Sequence, residues 1–202
     1  MLIDQFRKRM GLPVDGARSP QSLSQAIEQA GWPALGRQLF ESEIHRQLAD
    51  LGLPLYLTAN FDNFMALSLK DKAGRVRRDT VPWRKPASDR TNLAMPLSSE
   101  DPVVLHLFGT DDDLLSMVIT EDDHLDYLAR ISHDHEYFFP VSVNERLAST
   151  TLLFLGYRLE DLDLKVIMRG LLTHLDLERW GMLHVAVQLE SAEHDKATEK
   201  EK

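Results

Sequence analysis

The residue types best suited to chemistry are Thr58, Asn60 and Asp62, in the stretch PLYLTANFDNFM at positions 54–65. Leu55, Tyr56 and Leu57 precede them as an apolar run with one aromatic, the pattern of a strand buried on both faces. Phe61, Phe64, Met65 and Leu69 follow at helical spacing and predict a helix that packs one side. A strand that breaks into Thr-x-Asn-x-Asp and hands over to a helix sets short polar side chains at the carboxyl end of a sheet. Open α/β sheets bind ligands there, and the free N–H groups of a new helix favour an anion or a nucleotide. A plainer reading stands beside this one: Asp62 does no more than cap the helix.

Other elements must position that stretch. Ser19 followed by Pro20 reads as a helix cap with a first-turn proline; Leu23, Ala26, Ile27 and Ala30 supply the helical face, and Gly31 closes it. Residues 32–36 read as a connector, and 39–51 as a second amphipathic helix with Gly52 past its end. His45 reads as a surface or packing histidine. Residues 70–99 look like an irregular insertion with Gly74, Pro82, Pro86, Pro96 and scattered basic residues, Arg77, Arg78 and Arg84 among them. Trp83 there offers either a stacking surface beneath a basic lid or a pin that holds a solvated loop to the body.

VVLHLF at 103–108 reads as a second buried strand, ended by Gly109 and Thr110, with 117–119 as a short strand. Asp111 to Asp113 read as turn residues. Thr120 and Asp123 have capping-box spacing at the start of a helix over 121–132, and Ser142 with Glu145 repeats it. Residues 152–155 make a third core strand ending at Gly156 and Tyr157, a helix follows over 164–175, and 183–187 make the last strand. The charged tail at 190–202 has no core face and is expected to be disordered. Strands alternating with helices predict an α/β, Rossmann-like domain over 1–189: a mostly parallel sheet with helices on both faces.

The totals narrow the function classes. The chain has 202 residues, enough for one domain that buries roughly 70% of its unfolded surface. A formal charge of −9 argues against a general nucleic-acid binder, which needs a basic surface. No apolar run approaches the roughly 18 residues of a membrane span, and the start MLIDQFRKRM has no signal-peptide pattern, so the cytoplasm is the expected place. The absence of cysteine excludes disulfides, thiolate zinc sites and a cysteine nucleophile. His133 and His135 are one residue apart, which suits no familiar zinc spacing, and no metal is expected.

Three stretches together resemble the sirtuin-like (silent-information-regulator) family in its bacterial, non-deacetylase branch. They are LPLYLTANFDNFM, PVVLHLFGTDDDLLSMVITEDDHLDYL and TTLLFLGYRLEDLDLKVIM, and the likeness runs from about Leu53 to Val187. Deacetylase sirtuins carry a four-cysteine zinc module that this chain cannot build. The resemblance implies NAD as substrate or ligand, without a metal. It assigns Asn60 to the ribose and the attacking water, Asp62 to polar support, and Thr58, Gly109, Gly156 and Tyr157 to the nucleotide pocket. The family's general base is a histidine directly before the strand-ending glycine. Phe108 stands there, with His106 two places earlier and roughly 6.6 Å away along a strand. General-base catalysis needs about 3 Å, so His106 serves as base only if the strand ends early or the substrate sits deeper; otherwise it is a core histidine. The family's opening strand and Gly-Ala-Gly-x-Ser loop have no counterpart before Leu53, so the domain is expected to be incomplete at its N-terminus.

Two functions follow from the resemblance. One is an NAD glycohydrolase of the kind bacterial defence systems use, releasing nicotinamide. The other is a catalytically degenerate module, sensing NAD or an ADP-ribose-type nucleotide or docking other domains within a larger assembly.

Overall fold

Ser22 caps helix α1, Leu23–Gln29, its hydroxyl accepting the Gln25 N–H at 3.1 Å. The computed structural model describes residues 22–39, 43–86, 97–133, 138–156, 165 and 185–187. The expected Ser19 cap lies outside them. Gly31 takes φ 77° just past α1, as a helix-ending glycine does.

Where the sequence suggests a connector at 32–36, a short helix forms instead: α2, Ala34–Leu39. The Trp32 indole lies so close over Gly36 that any side chain there would strike the ring. The helix expected over 39–51 is shorter, α3 at Ile44–Asp50, because Glu43 claims its start. The Glu43 carboxylate accepts the N–H groups of His45 at 2.9 Å and Arg46 at 2.8 Å. His45 is a packing histidine, stacked on Phe64 at 5.3 Å.

Strand β1, Leu55–Thr58, leads into helix α4, Phe64–Ala73, which Gly74 ends at φ 72°. Next comes an element absent from the sequence reading. Within the supposedly irregular 70–99 region, Arg77–Thr80 is strand β2. It pairs in parallel with β3, Val103–His106, which pairs in parallel with β1 on its other side, giving the order β1-β3-β2. The sequence Arg-Arg-Asp-Thr carries no apolar alternation, so nothing in its pattern marks a strand.

The central strand is fully buried. On one face Val104 packs with Ala49 of α3 and with Ala66 and Leu69 of α4, and Tyr56, Met65 and Val76 join them. Residues 117–119 join no ladder; Val118 N–H makes one bond to the Phe108 carbonyl at 2.9 Å after a 3-10 turn at Leu114–Ser116. Helix α5, Glu121–His133, opens on the reciprocal box its spacing predicts. Asp123 N–H donates to Thr120 Oγ1 at 3.1 Å, and Thr120 N–H donates to Asp123 Oδ2 at 3.0 Å. Helix α6, Val141–Ser149, starts one residue before the expected cap, with Pro140 in the cap position, so Ser142 sits inside the first turn.

Strands β4, Leu153–Leu155, and β5, Val185–Val187, form a separate two-stranded parallel sheet. The chain divides into two compact units, residues 1–90 with 94–127 and residues 91–93 with 128–202. The first unit holds the three-stranded sheet. The helix expected over 164–175, Lys165 apart, and the tail at 190–202 lie outside the described residues.

Candidate functional site

Partners in a parallel ladder stand side by side, and the register places Thr58, His106 and Thr80 in one row across the carboxyl ends of β1, β3 and β2. Beyond Thr58 the chain turns sharply. Thr58 Oγ1 accepts the Asn60 N–H at 3.1 Å, and the Thr58 carbonyl accepts the Leu107 N–H at 2.8 Å. Asn60 is exposed at the apex of this turn. The Phe61 carbonyl accepts the Asp111 N–H at 3.2 Å, tying the β1 turn to the segment after β3.

Asp62 does cap α4: its Oδ1 accepts the Phe64 N–H at 3.2 Å. Burial pushes its carboxyl above the ordinary range against the pull of that N–H, and the neighbouring Asp111 charge adds to the upward push. The cap sits at the carboxyl edge of the sheet, beside the tip of β1. Asn63 is buried beside it and donates from Nδ2 to Glu28 Oε1 at 2.8 Å and to the Ser24 carbonyl at 3.4 Å.

At the tip of β3 the chemistry turns inward. The strand ladder ends at His106, two residues before Phe108, which is the early ending that a catalytic His106 requires. Yet His106 is 0% exposed, and both ring nitrogens are engaged. Nδ1 lies 2.8 Å from the Asn60 carbonyl, and Nε2 accepts the Arg78 Nε–H at 3.2 Å. Burial above all lowers the His106 pKa from its ordinary 6.5 to about 4, so the ring is neutral at pH 7. Phe108, where the family pattern has its histidine, is 5% exposed and packs its ring on Tyr127 at 5.3 Å.

Gly109 takes φ 90°, and a Cβ there would drive into the backbone of Ser116 and Met117. Its lack of a side chain is thus demanded by the chain's own close packing. Gly156 ends β4 in the second unit at φ 75°, with nothing among the described residues within 4 Å of its missing Cβ. Tyr157 lies outside the described residues. Of the sequence-predicted site residues, Thr58, Asn60, Asp62, His106 and Gly109 belong to the first unit, at the tips of the adjacent strands β1 and β3.

Residues that the sequence reading passed over hold this corner together. Arg78 Nη1 pairs with Asp112 Oδ2 at 2.8 Å, and Ser22 Oγ donates to Asp112 Oδ1 at 2.9 Å. Ser24 donates to Asp111 from its backbone N–H at 2.7 Å and from its hydroxyl at 2.5 Å. Asp111 and Asp112 look like ordinary turn residues, and Arg78 looks like one of several scattered cations. No spacing rule joins residues so far apart in sequence. Trp83 is a pin: buried, it donates from Nε1 to the Ser116 carbonyl at 2.8 Å. Arg84 lies 4.0 Å over its ring and pairs with Asp123 at 2.5 Å.

Parallel strands whose carboxyl ends break into polar turns and hand over to helices define a Rossmann-like α/β domain with its binding edge at the strand tips. The SIR2-like domain family matches residues 54–202, and the chain belongs to that family. It is similar to the NAD(+) hydrolase ThsA of Enterococcus faecium, 31% identical over 135 residues, or 66% of this chain and 25% of that protein. It is also similar to the NAD(+) hydrolase ThsA of Cytobacillus dafuensis, 27% identical over 127 residues, or 63% of this chain and 23% of that protein. The chain thus spans about a quarter of the length of these relatives. Among the described residues, no helix is long and apolar enough to cross a membrane.

Proposed function

We propose that this chain binds NAD at the tips of β1 and β3 and cleaves the bond between nicotinamide and ribose, as an effector or sensor in bacterial defence. The observation that carries the reading is the presentation of Asn60, exposed at the end of a parallel strand with its backbone carbonyl held from below by His106. Membership of the SIR2-like family and the hydrolase names of two relatives support it.

The reaction asks for little acid catalysis. The C1′–N bond breaks with its electron pair going to nicotinamide, a stable neutral leaving group. Water forms the new bond to C1′ and gives up a proton. Positioning the ribose and the water is the main task. In this reading the Asn60 side chain holds the ribose and the water, and Thr58 and Asp62 line the same corner. The Gly109 turn borders the nucleotide; Gly156 and Tyr157 are assigned to the nucleotide by the family resemblance alone. His106 belongs to the catalytic set as the support of Asn60. Its Nε2 already accepts from Arg78, which disfavours its taking the water's proton. Residues 1–189 act in this reading as a single sirtuin-like domain of a cytoplasmic protein, with other domains or proteins as partners.

A second reading has a specific observation behind it. With both His106 nitrogens engaged and Phe108 buried, the tip of β3 offers no histidine in a state to take a proton. That favours a module that binds NAD or ADP-ribose without turning NAD over. Incubation of the full chain with NAD separates the two. The hydrolase reading expects free nicotinamide, with release abolished by Asn60→Ala. The binding reading expects calorimetric heat on titration with ADP-ribose and no nicotinamide. Absence of both signals would overturn the NAD assignment.

A further inference from the structure

We infer that Arg78 is a positioning residue for Asn60, acting through His106 as a strut whose direction its end groups dictate. A guanidinium has only donors, and a backbone carbonyl has only acceptors. Arg78 Nε–H, 3.2 Å from His106 Nε2, therefore requires that nitrogen to be bare. The ring proton is left on Nδ1, and it donates to the Asn60 carbonyl at 2.8 Å. Swapping the tautomer would set a hydrogen on Nε2 against the Arg78 donor. It would also set a lone pair on Nδ1 against the Asn60 oxygen. Both contacts would then repel, and the Asn60 turn would lose its anchor.

The far end of the strut is held as firmly. Arg78 Nη1 pairs with Asp112 at 2.8 Å, and Asp112 accepts the Ser22 hydroxyl at 2.9 Å at the cap of α1. Ser22, Asp112, Arg78, His106 and Asn60 thus form one connected chain from the start of α1 to the β1 turn: Ser22 and Arg78 both donate to Asp112, and from Arg78 the donors run through His106 to Asn60. The charged groups facing His106 are Arg78, Asp111 and Asp112. This accounts for the composition of β2, whose Arg-Arg-Asp-Thr makes a poor strand by pattern. Its second arginine pairs in register with Val104, two residues before His106 on the central strand, and reaches Nε2 from there. Arg78 touches no reacting atom in this scheme; it sets the proton on His106, and His106 sets the turn.

The role rests on the NAD-cleaving reading only for its kinetic part, and the experiment separates the two. Nitrogen-15 spectra of the full chain at pH 7 are expected to show His106 neutral with its proton on Nδ1. A proton on Nε2, or an imidazolium, would overturn the strut whatever any variant does. In Arg78→Met the Asn60 carbonyl alone still favours Nδ1–H, so the Nε2–H form is expected to gain a measurable minor population, and kcat for nicotinamide release to fall at least about tenfold with KM changed less than about twofold. Arg78→Lys keeps a cationic donor and is expected to restore part of kcat. Equal losses in the two variants, or an Nε2–H population no larger in Arg78→Met than in the parent, would reject the assignment. An unaltered chain that releases no nicotinamide would sink the hydrolase reading alone, since the tautomer measurement still decides the strut.

Discussion

The tips of β1 and β3 lie side by side in the same sheet and carry similar polar residues, yet they do opposite things. The β1 tip turns outward and leaves Asn60 exposed. The β3 tip turns inward, with His106 and Phe108 buried and Gly109 pressed against the backbone of 116–117. In the proposed function, substrate-facing chemistry belongs to β1, while β3 supplies the frame. A histidine at a strand end is not evidence of a base until the commitments of its two nitrogens are known. Here both are spent on holding neighbours.

The largest test of that contrast is Asn60→Ala. Nicotinamide release is expected to fall by more than about a hundredfold with stability within about 0.5 kcal/mol of the parent, as befits an exposed side chain. A comparable loss of stability would mean that the β1 tip, too, is structural. Gly109→Ala acts on the other tip. Positive φ and a backbone collision together are expected to cost more than about 3 kcal/mol, read from the urea midpoint.

Titration of His106 comes next. Its folded pKa of about 4 lies below the ordinary 6.5, so between those values the unfolded chain binds the extra proton. Stability from this group is complete above pH 6.5 and drains away as the pH falls toward 4, on the order of 3 kcal/mol at the limit. Half-buried Asp62 works in the opposite sense, its raised carboxyl pKa favouring the native state as pH falls. Comparing urea midpoints of the parent and His106→Gln between pH 7 and pH 4.5 isolates the histidine; parallel slopes would contradict its burial as a neutral ring. The smallest effect belongs to Gly156→Ala. With positive φ but nothing among the described residues within 4 Å of the Cβ, it is expected to cost about 1 kcal/mol, well short of Gly109→Ala.

Local signals account for much of what could be read ahead of the structure. The strand-turn-helix at 55–73, the buried strand that begins at Val103, the capping box at Thr120 and Asp123, and the glycine after α1 all follow from spacing within a few residues. What escaped reading has partners far away. Strand β2 is held by pairing to β3, not by its own pattern, and α2 forms against the Trp32 ring although 32–36 looks like a connector. The Ser142 box failed because the helix began one residue sooner, with Pro140 before it.

The amino-acid sequence by itself determined the α/β alternation, the polar break after Leu57 and the likeness to the SIR2-like family, because each depends on residue types at short, regular intervals. Only the tertiary structure decided what His106 does. A histidine's proton goes where its two neighbours allow, and those neighbours, the Asn60 carbonyl and the Arg78 guanidinium, come from two different strands. Parallel pairing on either side of β3 brings them within reach of one ring, and no interval along the chain encodes that meeting.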